Sequence, residues 1–271
     1  ENYDPSYDIK FLEEELDLWF YNILFKVWKT FSRKIEQEGL KFSEAVAKQF
    51  SGLKVDEEQV KKVLRTVTLP EKPSFWKEEQ LMSFASALRK ESKPMIIAAN
   101  KIDAENGSKN YEMLKKKFSG VMMIPCSADS ELALRQAAKF EIIEYIPGDN
   151  DFKVVKEISP RQKEALMKIK REILDVYGST GVQQVLNTAV FDLLKYIAIF
   201  PASANRLRDS KGNVLPDCFL LPSGSTALDF AFFLHTDFGK NFIKAIDARS
   251  KRALGKDYKL KNRDALEIVT R

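Results

Sequence analysis

Cysteine and histidine are almost missing from this sequence. Two cysteines, Cys126 and Cys218, and one histidine, His235, stand among 271 residues. They leave no disulfide framework, no four-ligand zinc site and no histidine-rich catalytic metal centre. No metal ligand and no catalytic residue is assigned. Both cysteines read as buried small apolar residues, and a reducing cytoplasm suits them. Glycine (11) and proline (10) are sparse for a chain of many tight β-turns, so helix should dominate. No run approaches the ~20 apolar residues that cross a bilayer, and no membrane partner is expected. The opening Glu-Asn-Tyr-Asp is acidic, without an apolar signal segment or an initiator methionine, which reads as a processed chain or a fragment.

What is present is core material. Hydrophobic residues make up 44% and charged residues 31%, with 19 Phe, 8 Tyr and 3 Trp. That mix excludes a disordered chain, which could not bury enough apolar surface to offset its ordering entropy. The length suggests about two domains. A net charge of +5 permits an anionic partner such as RNA without requiring one.

After a short linker, Ile9, Leu12, Leu16, Trp19, Ile23, Val27, Phe31 and Ile35 recur three and four apart, one face of a long helix. Asp8 is its expected N-cap and Gly39 its stop. Phe11, Phe20, Leu24, Phe25 and Trp28 widen the face, which places Trp19 inward and Trp28 on the flank. Helices near 43–50, 56–67 and 77–90 follow, so residues 1–92 read as a helical module with an antiparallel hairpin.

At Lys93 the period changes. Residues 94–99 and 121–125 are short apolar runs, as in buried parallel strands, and helices at about 108–118 and 130–140 follow them. This is α/β alternation. A helix over 159–177 begins with Ser159 and Pro160 and ends at Gly178, and another spans about 180–196. The tail reads as a small α+β domain. It has strand-like 214–221, a helix over 225–234, and short strands at 242–248, 258–260 and 266–270.

The sharpest motif is Asn100-Lys101-Ile102-Asp103, directly after the first apolar run. A carboxylate at Asp103 can accept from both N1–H and the N2 amino group of guanine. Adenine lacks that amino group and carries an acceptor at N1, so the same site leaves polar groups unpaired and discriminates. Lys101 can lay its methylenes along a base plane, and Asn100 can tie the loop to a neighbouring phosphate loop. Cys126-Ser127-Ala128 follows the second run. A backbone N–H there can donate to guanine O6, although Ser127 or Asp129 can equally cap a helix. Together, Asn100, Lys101, Asp103, Ser127 and Ala128 form a coherent guanine pocket at strand carboxyl ends, where α/β folds bind ligands. Gly178-Ser-Thr-Gly181 reads as a helix stop followed by a new N-cap, and His235 as a residue ending a helix.

These residues resemble the fourth and fifth motifs of P-loop GTPases. Residues 93–146, Gly178–Gln183 and the tail from Asn213 look like the archaeal branch of the Obg-related YchF family. The resemblance implies an α/β fold, a partial P-loop GTPase G domain. It carries an inserted α-helical hairpin module and a C-terminal, β-grasp-like TGS domain. The implied domains are 1–92, 93–211 and 212–271. It further implies a guanine-nucleotide switch binding GTP or GDP, linked to the ribosome and translation, in the cytoplasm.

One departure matters. The sequence has no G-x-x-x-x-G-K-[ST] phosphate loop and no strand with D-x-x-G. In the family those parts precede the helical insertion, so the chain reads as the later two-thirds of such a GTPase. Alone it should not hydrolyse GTP, and Mg2+ is expected only in the full-length parent. A basic stretch in the tail, with Arg249, Lys251 and Arg252 at its centre, suits RNA phosphates as well as it suits a solvated loop. DNA is not expected. The rival readings are an RNA- or ribosome-binding module with a vestigial nucleotide pocket, and a scaffold acting through the helical hairpin.

Overall fold

The computed structural model describes residues 4–203, 207, 212–215 and 217–271. Residues 1–3 of the expected linker, Pro216 of the expected strand, and the expected boundary at residue 211 lie outside the described residues. By its contacts the chain divides into two compact units, Glu1–Gly181 and Val182–Arg271.

The first unit opens with helix α1, Ser6–Glu38. It starts earlier than Asp8 because Pro5, at φ −65°, already holds the helical backbone. Asp8 falls in the first turn instead, where a carboxylate suits the helix dipole. Gly39 ends the helix in the left-handed conformation, at φ 62°. Helices α2 (Phe42–Gln49), α3 (Glu57–Thr66) and α4 (Glu78–Ser92) complete the module. Asp56 caps α3 in a reciprocal box with Gln59.

Helix α4 packs along α1, and this rotates the buried line away from the expected one. Phe20, Leu24 and Trp28 face inward, while Trp19 is 49% exposed against 7% for Trp28. Nine residues at ~100° each place the two indoles on opposite sides of the helix. Trp28 lies 5.0 Å from Trp76, ring centre to ring centre, and Trp76 meets Phe84 edge-on. Arg89, 3% exposed, donates through Nε to Asp17 at 2.6 Å. Ser86 Oγ donates to the other Asp17 oxygen at 2.5 Å, so the carboxylate clips α1 to α4.

Strand β1 (Ile96–Ala99), helix α5 (Gly107–Lys117), strand β2 (Met122–Pro125) and helix α6 (Ala128–Lys139) follow. β1 and β2 pair in parallel, Ile96 beside Met122 and Ala99 beside Pro125. The expected burial is not met: Ala98 is exposed, and Ile96, Ile97 and Ala99 are half-buried. The reason is topological. Among the described residues this sheet has two strands, so β1 has one neighbour and one open edge. Strands β3 (Ile143–Glu144) and β4 (Lys153–Val154) pair antiparallel. Helix α7 (Pro160–Ile169) starts on a Ser159–Gln162 capping box, widens into a π-helical turn over Lys170–Leu174, and ends in α8 (Asp175–Tyr177) against Gly178 at φ 78°.

The second unit begins with α9 (Val182–Asn187) and a π-helical turn over Thr188–Leu193. The expected helix to residue 196 stops there. Lys195 takes φ 54°, and Tyr196–Pro201 becomes strand β5, rich in β-branched and aromatic residues. Strand β6 is Phe219–Pro222, shorter than expected, and Cys218 just before it is exposed rather than buried. Then come α10 (Ala227–Leu234), α11 (Thr236–Lys240), β7 (Phe242–Asp247), β8 (Ala253–Leu254) and β9 (Asp264–Thr270). The strand order is β6-β5-β9-β7-β8, with the β5–β9 pair parallel and the others antiparallel. Residues 258–260 contribute only a bridge between Thr226 and Lys259. Phe230 of α10, fully buried, packs with Ile199, Leu221 and Leu266 of the sheet.

Candidate functional site

The carboxyl ends of β1 and β2 lie side by side because the strands pair in parallel register. Asn100–Asp103 leaves one and Cys126–Ala128 leaves the other. Ile102 is the anchor of the first loop: its side chain is buried and its N–H donates to Cys126 O at 3.0 Å. Lys101 turns through φ 64°. This leaves Asn100, Lys101 and Asp103 all exposed around a fixed Ile102.

Asn100 joins the two loops. Its Oδ1 accepts from Ala128 N–H at 3.1 Å, across 28 residues of sequence. Ser127 is fully buried and caps α6, accepting from Ser130 N–H at 3.3 Å. The helix cap, the plainer of the two sequence readings of Ser127, is therefore present. Beyond these two bonds, Asp129 N–H is the first-turn amide of α6 left without an acceptor within the helix, at its positive dipole end. Asp103, two residues past an exposed lysine, offers an open carboxylate to anything placed against this edge.

A cavity of about 540 Å³ adjoins Asn100 and Lys101, floored by Ile97–Ala99 and bounded by Pro5, Ile9 and Tyr111. Asp103, Ser127 and Ala128 do not line it. It is therefore a groove over the open face of β1 rather than the edge formed by the two loops.

Residues that sequence reasoning missed stand behind the two loops. Gly107 begins α5 so close to the first loop that a Cβ would lie 2.5 Å from the carbonyl oxygens of both Lys101 and Ile102. Thr180, 1% exposed, accepts Ser127 N–H on its carbonyl at 2.9 Å and donates its hydroxyl to Glu131 at 2.6 Å. Gly178 is the helix stop the sequence announces, but Thr180 is no helix cap; the Gly-Ser-Thr-Gly spacing was its available signal. Cys126 is buried, and burial pushes its thiol up to about 11.

The tail residues lie in the second unit. Arg249, Lys251 and Arg252 occupy the tight turn between β7 and β8, all exposed. Asp247 accepts from the N–H groups of Arg249 and Ser250 at 2.7 and 2.9 Å. Lys251, at φ 62°, donates its ammonium to Ala248 O at 2.8 Å. His235 ends α10 and accepts from Asp237 N–H at 3.2 Å as the cap of α11. Among the described residues no helix is long and apolar enough to cross a membrane, and no three His, Cys, Asp or Glu side chains group to hold a metal.

Comparison with known proteins gives two family matches. Residues 98–203 match the Obg-like GTPase YGR210-like, G4 motif-containing domain, and residues 211–270 match the TGS domain. The chain is 46% identical, over its whole length, to an uncharacterized GTP-binding protein of Methanocaldococcus jannaschii, of which it spans 68%. It is 29% identical to an uncharacterized GTP-binding protein of Schizosaccharomyces pombe over 83% of the chain and 57% of that relative. Among solved structures, a GTP binding protein from Pyrococcus horikoshii OT3 superposes with a TM-score of 0.76 at 44% identity. All of this chain and 73% of that one are covered. The Schizosaccharomyces pombe YchF GTPase matches in fold, with a TM-score of 0.52 at 18% identity over 99% of this chain and 67% of that one.

Proposed function

The chain belongs to the Obg-related, YchF-type GTP-binding proteins, and from that premise we propose that Asn100, Lys101, Asp103, Ser127 and Ala128 form the guanine-recognising half of its nucleotide site. The observation that carries this is the Asn100 Oδ1 to Ala128 N–H bond, which locks two distant loops into one edge. In the proposed pose Asp103 accepts from N1–H and the N2 amino group of the base. The Lys101 stem covers one base face, and O6 meets the positive end of α6.

The phosphates and their magnesium are held elsewhere in the whole protein, on this reading. The chain carries no phosphate loop, and its described residues offer no metal-binding group. No hydrolytic step is therefore assigned to these residues. The half-exposed β1, with one open edge, is where the remaining strands of a G domain would add. The helical module and the tail are the proposed contacts to the ribosome, with nucleotide state setting their geometry in the cytoplasm. The exposed turn bearing Arg249 and Arg252 favours RNA phosphate as part of that contact.

The test is competition binding of GDP, XDP and ADP to the whole protein and its Asp103→Asn variant. The native protein should prefer GDP. Asp103→Asn removes a charged acceptor of two hydrogen bonds, each worth roughly 1.5–3 kcal/mol, so GDP affinity should fall by about two to four decades while XDP gains. Equal native affinity for ADP and GDP would remove the role given to Asp103.

A further inference from the structure

The Gly178–Gly181 segment does more than stop a helix. Thr180 and Gly181 are buried against the far side of the Cys126–Ala128 turn. Gly181 stands at φ 81°, and a Cβ there would lie 1.9 Å from Pro125 O and 3.0 Å from Cys126 Sγ. Thr180 grips the turn from beneath, its carbonyl accepting Ser127 N–H at 2.9 Å.

Thr180 is itself held. Its hydroxyl donates to Glu131, a carboxylate only 4% exposed, one turn into α6. The same carboxylate accepts from Tyr145 OH at 2.8 Å and from Arg135 Nε at 2.5 Å. Burial alone would raise the Glu131 pKa; the Thr180, Arg135 and Tyr145 donors outweigh it and hold the group below its ordinary range. A buried, ionised carboxylate with three donors is a rigid node, because each lost donor leaves charge uncompensated. It ties the first turn of α6, the residue after β3 and the Gly-Ser-Thr-Gly segment to one point.

We infer that Thr180 and Glu131 are positioning residues that set the discrimination of guanine from adenine, by fixing where the Ser127–Ala128 turn presents the positive end of α6. This rests on the guanine reading above and adds a division of labour to it. Asp103 reads the N2 amino group from one loop. The strut beneath Ser127 governs the O6 side from the other. Inosine separates the two, since it keeps O6 and N1–H but lacks the N2 amino group.

The experiment is competition binding of GDP, IDP and ADP to the whole protein and to Thr180→Val, Thr180→Ser, Glu131→Gln and Asp103→Ala. Thr180→Val keeps volume and loses the hydroxyl. It should lower the preference for IDP over ADP by about tenfold, the worth of one well-placed hydrogen bond, and leave the GDP-to-IDP ratio unchanged. Glu131→Gln should follow it, and Thr180→Ser should restore the native ratio. Asp103→Ala should collapse GDP over IDP and, because the carboxylate also accepts from N1–H, lower IDP over ADP as well. Hydrogen exchange at the Ser127 amide should quicken in Thr180→Val without nucleotide. A uniform loss of affinity for all three nucleotides, or an unchanged IDP-to-ADP ratio, would overturn the positioning role while leaving the guanine reading intact. An unchanged GDP-to-IDP ratio in Asp103→Ala would overturn the guanine reading and this inference with it.

Discussion

Single residues at the β1 and β2 ends divide into those that touch the edge and those that hold it. Asp103, Lys101 and Asn100, the residues proposed to read the base, could be named from sequence because their spacing is contiguous and their chemistry is at the surface. Thr180, Glu131 and Gly107 could not, since Thr180 and Glu131 act through partners 49 and 53 residues from Thr180, and Gly107 through a close contact that spacing cannot show. The two cysteines differ in the same way. Thiol reagents attack the thiolate. Cys218 is exposed, whereas Cys126 is buried and its thiol is pushed up to about 11. A folded sample at pH 8 should release colour from one thiol promptly with a disulfide reagent, and from the second only when unfolded. Prompt reaction of both would place Cys126 outside the junction described.

At the level of elements, periodicity located α1 but not its facing. Its many aromatic residues ring the helix, so the three- and four-residue pattern admits more than one apolar stripe, and α4 selects the line through Phe20, Leu24 and Trp28. Trp28→Ala should therefore cost about 3–5 kcal/mol, and Trp19→Ala under about 1 kcal/mol, in urea unfolding. The opposite ranking would restore the stripe expected from spacing. The strand β5 was hidden by its position directly after helical turns, with the break supplied by Lys195 at φ 54°. The β7–β8 turn makes a separate prediction. Replacing Arg249, Lys251 and Arg252 together with Glu should weaken RNA or ribosome binding and flatten its salt dependence, because fewer counterions are released. Lys251 also braces the turn through Ala248 O, so far-UV circular dichroism should confirm that the domain still folds. Unchanged affinity and slope would remove the RNA reading.

For the molecule as a whole, the α/β class was readable because strand–helix alternation survives without side-chain detail, whereas the TGS assignment came from resemblance. The sheet's exposure was not, because burial of a parallel strand depends on neighbours outside the local pattern. The indoles add one more consequence. All three tryptophans, Trp19, Trp28 and Trp76, fall within the helical module before residue 93. Trp28 and Trp76 nearly stack at 5.0 Å, while Trp19 faces solvent. Intrinsic fluorescence is thus a private reporter of the helical module, blind to both the loops after β1 and β2 and the tail. A urea titration followed at the indole emission should move apart from one followed by far-UV circular dichroism, since a chain of two compact units need not melt in one step. Coincident curves would show that the light from one module speaks for the entire chain.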